Sequence, residues 1–183
     1  TELLVELAVA RIHPEQACRV LDLGTGTGAV ALAIAQECPM ASVLAVDFSE
    51  AALAVARSNA AQLKIRTVEF LRSDWYAELA GRTFDVIVSN PPYIEAADAH
   101  LQQGDLRFEP LTALASGADG LDAIRLILAG AKVHLQPEGW LLIEHGWQQA
   151  RAIRELFAQA GFTGIQNEQD LEGRDRVTIG QSP

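Results

Sequence analysis

The chain has 183 residues, 49% of them hydrophobic, with 14 basic against 24 acidic side chains and a formal charge of -10. That length and apolar content fit one folded domain with one core and exclude a disordered chain. No apolar run reaches the ~20 residues that span a bilayer, no basic-then-apolar leader is visible, and the acid excess repels duplex DNA unless a basic stripe compensates.

The basic residues are scattered, and the densest pair, Arg174 and Arg176, is interleaved with Asp175. Cys18 and Cys38 have no metal-ligand spacing and read as two reduced thiols of a cytoplasmic protein. The chain opens at Thr1 without an initiator Met, as a fragment or a processed form does.

Strand and helix signals alternate along the chain. Residues 1–12 carry Leu3, Leu4, Leu7 and Ala8 at helical spacing, and Pro14 ends that helix. Residues 19–23 are a short β-type run, residues 24–28 a glycine loop, and residues 30–37 a helix rich in Ala, Ile and Leu. A second strand, residues 42–46, closes on Asp47, and Ser49 is an N-cap for a helix to about residue 62. Residues 67–71 and 84–89 are the third and fourth strands, the latter with a buried run of Val86, Ile87 and Val88.

Residues 91–118 show no clear periodicity, and a loop of that length inside a compact domain is usually functional. A helix over residues 119–134, a fifth strand over 140–144 and a helix over 148–160 follow, with Gly161 at the helix C′ position. Residues 162–166 and 176–179 are late strands with only a short loop between them, so they pair as a hairpin and one of them opposes the rest. The βαβαβ order predicts an α/β, doubly wound, mostly parallel seven-stranded sheet with a C-terminal antiparallel strand.

Two places carry chemistry. Asp22-Leu23-Gly24-Thr25-Gly26-Thr27-Gly28 follows a strand and opens a helix, where glycines let the chain turn tightly and a ligand approach the peptide units. Asp47 ends the next strand about 20 residues on, where a carboxylate accepts from ribose hydroxyls. The pattern points to a nucleoside-containing cofactor. Gly24-x-Gly26-x-x-Ala29 also satisfies the dinucleotide fingerprint, so a NAD-linked oxidoreductase stays open beside a methionine-derived cofactor, which has no pyrophosphate and needs no anion site. Asp74-Trp75 follows the third strand, where Trp75 either stacks on an adenine ring or belongs to the core, and Asp74 can accept from the adenine amino group.

Asn90-Pro91-Pro92-Tyr93 follows strand four at the same sheet edge. Two prolines there remove two backbone donors and stiffen the chain. The Asn90 side-chain carbonyl and the Pro91 backbone carbonyl can then face one spot, an arrangement suited to an –NH2 group on an amide or an aromatic base. Hydrogen bonds from that nitrogen orient it and stabilise the positive charge that grows as a methyl group arrives, and Tyr93 supplies a flat wall. His13, His100, His134 and His145 have no ligand spacing and read as structural, with His145 placed to face the pocket.

These residues together resemble the HemK/PrmC family, protein-(glutamine-N5) methyltransferases acting on the Gly-Gly-Gln motif of peptide chain release factors. Downstream, His100-Leu101, Gly104-Asp105, Arg107-Phe108-Glu109-Pro110, Gly117-x-Asp119-Gly120-Leu121, Glu144-His145-Gly146 and Gly173-Arg174-Asp175-Arg176 extend the match over nearly the whole chain. Asn-Pro-Pro-Tyr alone is shared with methyltransferases of DNA adenine and rRNA guanine, which keeps a nucleic-acid base as the alternative substrate.

The resemblance implies a class I, Rossmann-like methyltransferase domain over residues 1–183, using S-adenosyl-L-methionine and releasing S-adenosyl-L-homocysteine. It implies that Gly24, Thr25, Gly26, Thr27 and Gly28 hold the methionine part of the cofactor, Asp47 the ribose and Trp75 the adenine. Asn90 and Pro91 accept from the glutamine amide, with Asn90 also beside the cofactor, and Pro92 and Tyr93 shape the slot; Asn90, Pro91 and Tyr93 form the catalytic set and no metal is implied. Residues 94–117 help receive the release-factor loop. A cytoplasmic monomer without stable nucleic-acid binding is expected. An N-terminal helical docking domain usual in the family is expected to be absent from this chain, which puts docking, rather than cofactor binding, in question.

Overall fold

A computed structural model describes residues 1–13, 17–93 and 116–183. The order is α1 (Glu2–Val9), β1 (Arg19–Leu23), α2 (Ala29–Glu37), β2 (Ser42–Asp47), α3 (Glu50–Leu63), β3 (Val68–Arg72), β4 (Phe84–Ser89), α4 (Asp122–His134), β5 (Leu135–Glu144), a 3₁₀ turn (Trp147–Gln149), α5 (Ala150–Gln159), β6 (Thr163–Gln169) and β7 (Asp175–Gln181). The seven strands form one sheet in the order β3-β2-β1-β4-β5-β7-β6. β3, β2, β1, β4 and β5 pair in parallel, and β7 is antiparallel to both β5 and β6.

The central strands are continuously apolar because both of their faces are covered. Val20, Val43, Ala45, Val86, Val88 and Leu142 point into a core shared with Leu4 and Ala8 of α1 and Ala31 and Ile34 of α2. Leu21, Leu44, Val46, Ile87, Leu141 and Ile143, one residue out of phase, point into a second core with Ile124, Ile127 and Leu128 of α4 and Ile153 and Phe157 of α5. The period-two alternation thus splits each strand between two helical layers. Ser49 caps α3 as expected, its Oγ accepting from the Ala52 N–H at 3.2 Å. Gly161 adopts φ +82 after α5, as a C′ glycine does.

Several elements differ from expectation: α1 ends at Val9 rather than residue 12, and β6 runs to Gln169 rather than residue 166. β5 begins at Leu135 rather than residue 140, because Pro137-Glu138-Gly139 is absorbed as an irregularity. Leu135 already pairs with Phe84, the register then shifts, and Glu138 takes φ +63. α4 begins at Asp122 rather than residue 119, since Gly120 at φ +72 cannot enter a helix without unwinding it. The last helix is a 3₁₀ turn followed by α5. Pro14, His100 and the Arg107-Phe108-Glu109-Pro110 segment lie outside the described residues.

Candidate cofactor and acceptor site

The sheet has its switch point between β1 and β4, since successive crossovers leave β1 toward β2 and β3 and return on its other side to β4. Ligands of open α/β sheets bind at the carboxyl ends of the strands at that point. Here the register places the two motifs side by side, with Leu23 paired to Ser89 and to Val46. The glycine loop, Asp47 and Asn90 therefore all leave the sheet at one edge. The Ser89 hydroxyl, fully buried, donates to the Leu23 carbonyl at 2.7 Å and ties the two strand ends together.

All three glycines of the loop take positive φ: +69 at Gly24, +55 at Gly26 and +85 at Gly28. Their surroundings differ. A Cβ on Gly28 would sit 3.1 Å from Ala56 Cβ, so Gly28 lets α3 close on α2. A Cβ on Gly24 would lie 3.7 Å from the Trp75 ring, and one on Gly26 would meet nothing within 4 Å. Gly28 is thus set by packing, while Gly26 borders open space. The Thr25 hydroxyl donates to Asp22 Oδ2 at 2.6 Å, and that oxygen also accepts from the Ala31 N–H at 3.2 Å. Burial pushes the Asp22 carboxyl up to about 6, against these two hydrogen bonds, which favour its charged form.

Asp47 is held by two backbone donors, the Gly26 N–H to Oδ2 at 2.9 Å and the Ser49 N–H to Oδ1 at 2.8 Å. An ionised carboxylate offers about four acceptor positions, so two N–H donors leave capacity for hydroxyls. Trp75 is half-buried against the second core, and its ring also flanks Gly24. Its backbone takes φ +49, held by the Ser73 hydroxyl donating to its carbonyl at 2.8 Å. Asp74 is exposed beside it. These residues fit a nucleoside cofactor: open space at Gly26, an anchored carboxylate at Asp47 and an aromatic face at Trp75.

On the acceptor side, the Asn90 amide nitrogen donates to the Thr1 hydroxyl at 3.1 Å, which fixes the amide plane and leaves Oδ1 as its acceptor end. Pro91 is buried, and Pro92 and Tyr93 are half-buried. The Tyr93 carbonyl accepts from Gln149 Nε2 at 2.9 Å. Gln149 escaped the sequence reading, because Gly146-Trp147-Gln148-Gln149 matches no chemical motif and its partner is 56 positions away. Residues 94–115 lie outside the described residues, so the release-factor loop reading of that segment rests on sequence.

Among the described residues the histidines do not gather. His134 stacks on Tyr76, with ring centroids 4.7 Å apart, and its Nδ1 contacts the Arg82 carbonyl. His145 is fully buried between the Gly146 carbonyl and the Thr178 hydroxyl, at 3.0 and 2.8 Å, rather than facing the cleft. Burial lowers its pKa and keeps the ring neutral. Cys18 and Cys38 are both free and buried. Basic residues are less scattered than they looked: Arg57, Lys64 and Arg66 line one cleft with Phe70. Among the described residues no helix is long and apolar enough to cross a membrane.

Comparison with known proteins agrees with this geometry. Residues 1–106 match the methyltransferase small domain family. The chain is 56% identical over its full length to a release factor glutamine methyltransferase of Xylella fastidiosa, covering 66% of that protein. It is 54% identical over 99% of its length to one of Pseudomonas aeruginosa, covering 65%. It thus spans about two thirds of the length of these curated relatives. Among solved structures, the release-factor-specific protein-(glutamine-N5) methyltransferase of Alicyclobacillus acidocaldarius superposes with a TM-score of 0.62 at 30% identity, over 99% of this chain and 90% of that one.

Proposed function

The chain belongs to the release factor glutamine methyltransferase family, with the class I Rossmann-like fold, and from that membership we propose that it methylates the side-chain amide nitrogen of the Gly-Gly-Gln glutamine of peptide chain release factors. The observation that carries the reading is the Leu23–Ser89 pairing, which sets the glycine loop and the Asn90 tetrapeptide side by side at one sheet edge. S-adenosyl-L-methionine, when bound there, would supply an electrophilic methyl group, leaving as S-adenosyl-L-homocysteine as the methyl–sulfur bond breaks, with one amide N–H proton lost to solvent. Gly24, Thr25, Gly26, Thr27 and Gly28 hold its methionine part, Asp47 its ribose hydroxyls and Trp75 its adenine.

A glutamine amide nitrogen is a weak nucleophile because its lone pair is shared with the carbonyl. Asn90 Oδ1 and the Pro91 carbonyl accept its two N–H groups, which aims the nitrogen and favours the charge that develops on it. Both acceptors are pre-set. The Asn90 amide is turned by Thr1, and the ring of Pro91 fixes its own backbone angle. Pro92 and Tyr93 close the slot against the planar amide. The net charge of -10 supports a protein rather than a nucleic-acid substrate. The protein acts as a cytoplasmic monomer.

Asn90→Ala removes one acceptor and leaves the glycine loop intact. The expected result is a loss of methyl transfer of ~100-fold or more with S-adenosylmethionine affinity within ~3-fold, as removal of a single transition-state partner gives. Radiolabelled transfer to a release factor, its Gln→Ala substrate as the blank, measures the first, and calorimetry the second. Normal turnover of Asn90→Ala sinks the mechanism. Methyl incorporation into RNA or DNA but not into the release factor replaces the substrate, and tight binding of NAD replaces the enzyme class.

A further inference from the structure

The Asn90–Tyr93 tetrapeptide leaves the sheet at Ser89, and its two prolines stiffen only its middle. Its far end needs a separate anchor if the Pro91 carbonyl is to hold one direction. Gln149 is that anchor in the fold. It lies in the 3₁₀ turn that leads into α5, and one side-chain amide reaches three chain segments. Its Nε2 donates to the Tyr93 carbonyl at 2.9 Å and to the Asp119 carbonyl at 3.4 Å, and its Oε1 accepts from the Gly146 N–H at 3.1 Å.

Gly120 shows how closely these segments are drawn together. It takes φ +72, and a Cβ there would come within 2.4 Å of the Tyr93 carbonyl oxygen and 2.7 Å of Gln149 Nε2. Only a residue without a side chain lets the backbone before α4 lie against the end of the tetrapeptide. Gly146, on the other side, would bring a Cβ 3.1 Å from Gln149 Oε1. The amide is therefore enclosed by two glycines, and both of its ends are used. A chemically similar side chain does not replace it: ionised Glu has the length but no donor, and Met has the length but no donor and only a weak acceptor.

We propose that Gln149 is a positioning residue for methyl transfer, holding the Tyr93 carbonyl and with it the direction of the Pro91 carbonyl that accepts from the target amide. It touches neither cofactor nor target and acts through the backbone of residues 91–93. The inference rests on the glutamine-methylating reading of the same site. By closing the gap between Tyr93 and Gly120, the same amide also pins the two flanks of residues 94–115 to each other.

The test uses Gln149→Met and Gln149→Glu in the protein labelled with carbonyl-¹³C tyrosine. The chain has two tyrosines, so two carbonyl resonances report, with Tyr76 as the internal control. In both variants the Tyr93 resonance moves and that of Tyr76 stays. Turnover at saturating release factor falls ~10–100-fold, the scale for displacing a group by about an ångström, with S-adenosylmethionine affinity within ~2-fold. Full turnover with a shifted Tyr93 resonance overturns the positioning role, and so does an unshifted Tyr93. Loss of cofactor affinity together with movement of Tyr76 also overturns it, since that marks a structural role alone. Wild-type protein that leaves the release factor unmethylated overturns the proposed function, and the Tyr93 carbonyl then decides the clamp alone.

Discussion

At the residue scale, the glycine loop separates two needs that look identical in sequence. Gly26 and Gly28 share positive φ, and placing Ala in that region costs about 1–2 kcal/mol at either position. Gly28 adds a collision with Ala56, so Gly28→Ala is expected to lose about 2–4 kcal/mol in all once overpacking is included. Gly26→Ala meets no neighbour; on the proposed cofactor site it should lose only the backbone cost and yet weaken S-adenosylmethionine binding ~10-fold or more, since its methyl group would enter the open space where that site lies. Urea titration and calorimetry on the two variants separate the roles, and cofactor affinity unchanged in Gly26→Ala would remove Gly26 from the site. The alternate spacing of Gly24, Gly26 and Gly28 was legible in the sequence because it is local. Which of the three borders open space depends on Ala56 and Trp75, distant in the chain, and was not.

At the element scale, α3 is attached to the site by its first turn. The Ser49 hydroxyl caps the helix while the Ser49 N–H holds Asp47 Oδ1. Ser49→Ala removes the cap and keeps the backbone donor. It should cost about 1 kcal/mol, seen as a fall of a few degrees in Tm, with cofactor affinity unchanged. A large drop in affinity would mean that the hydroxyl itself meets the ligand. This cap was readable because capping is set within four residues. The start of β5 was not, since Pro137-Glu138-Gly139 carries the local signature of a turn, and only pairing of Leu135 with Phe84 extends the strand past it. α5 is held to the sheet in a similar long-range way. Gly180 of β7 leaves room for Phe157, where a Cβ would lie 2.6 Å from the ring.

At the scale of the whole molecule, the acid excess and one buried carboxyl set the pH response. Asp22 is 1% exposed and titrates at about 6 in the fold against 3.8 as its ordinary value. A carboxyl raised in the folded state contributes stability that is complete below the unfolded pKa and lost as pH rises through the folded one. Its contribution is therefore full below pH 3.8, falls through about 6, and is absent at pH 8. Asp22→Asn keeps an oxygen for Thr25 and Ala31 and abolishes the titration. The variant should be the more stable of the two at pH 8, with the gap closing as pH falls toward 4. Urea midpoints of both proteins across that range check the sign, and a constant gap would show that Asp22 does not titrate there. His145 works oppositely: its neutral, lowered state means stability lost as pH drops below its ordinary 6.5.

What the sequence determined by itself is everything written at short range. The alternation of Val20, Leu21 and Leu23, the glycine spacing, the Ser49 cap, the C′ Gly161 and the stiff Asn90-Pro91-Pro92-Tyr93 all follow from neighbours within a turn or a strand. They were enough for a doubly wound sheet with the glycine loop and the Asn90 tetrapeptide at one edge. The hairpin of β6 and β7 was also legible, but not that β7 is the strand inserted beside β5. Tertiary structure alone decided that order, the burial of His145 beneath β7 and the Gln149 clamp on Tyr93. Each depends on strands pairing across long stretches of chain, and a residue's own periodicity holds no record of which distant backbone will lie against it.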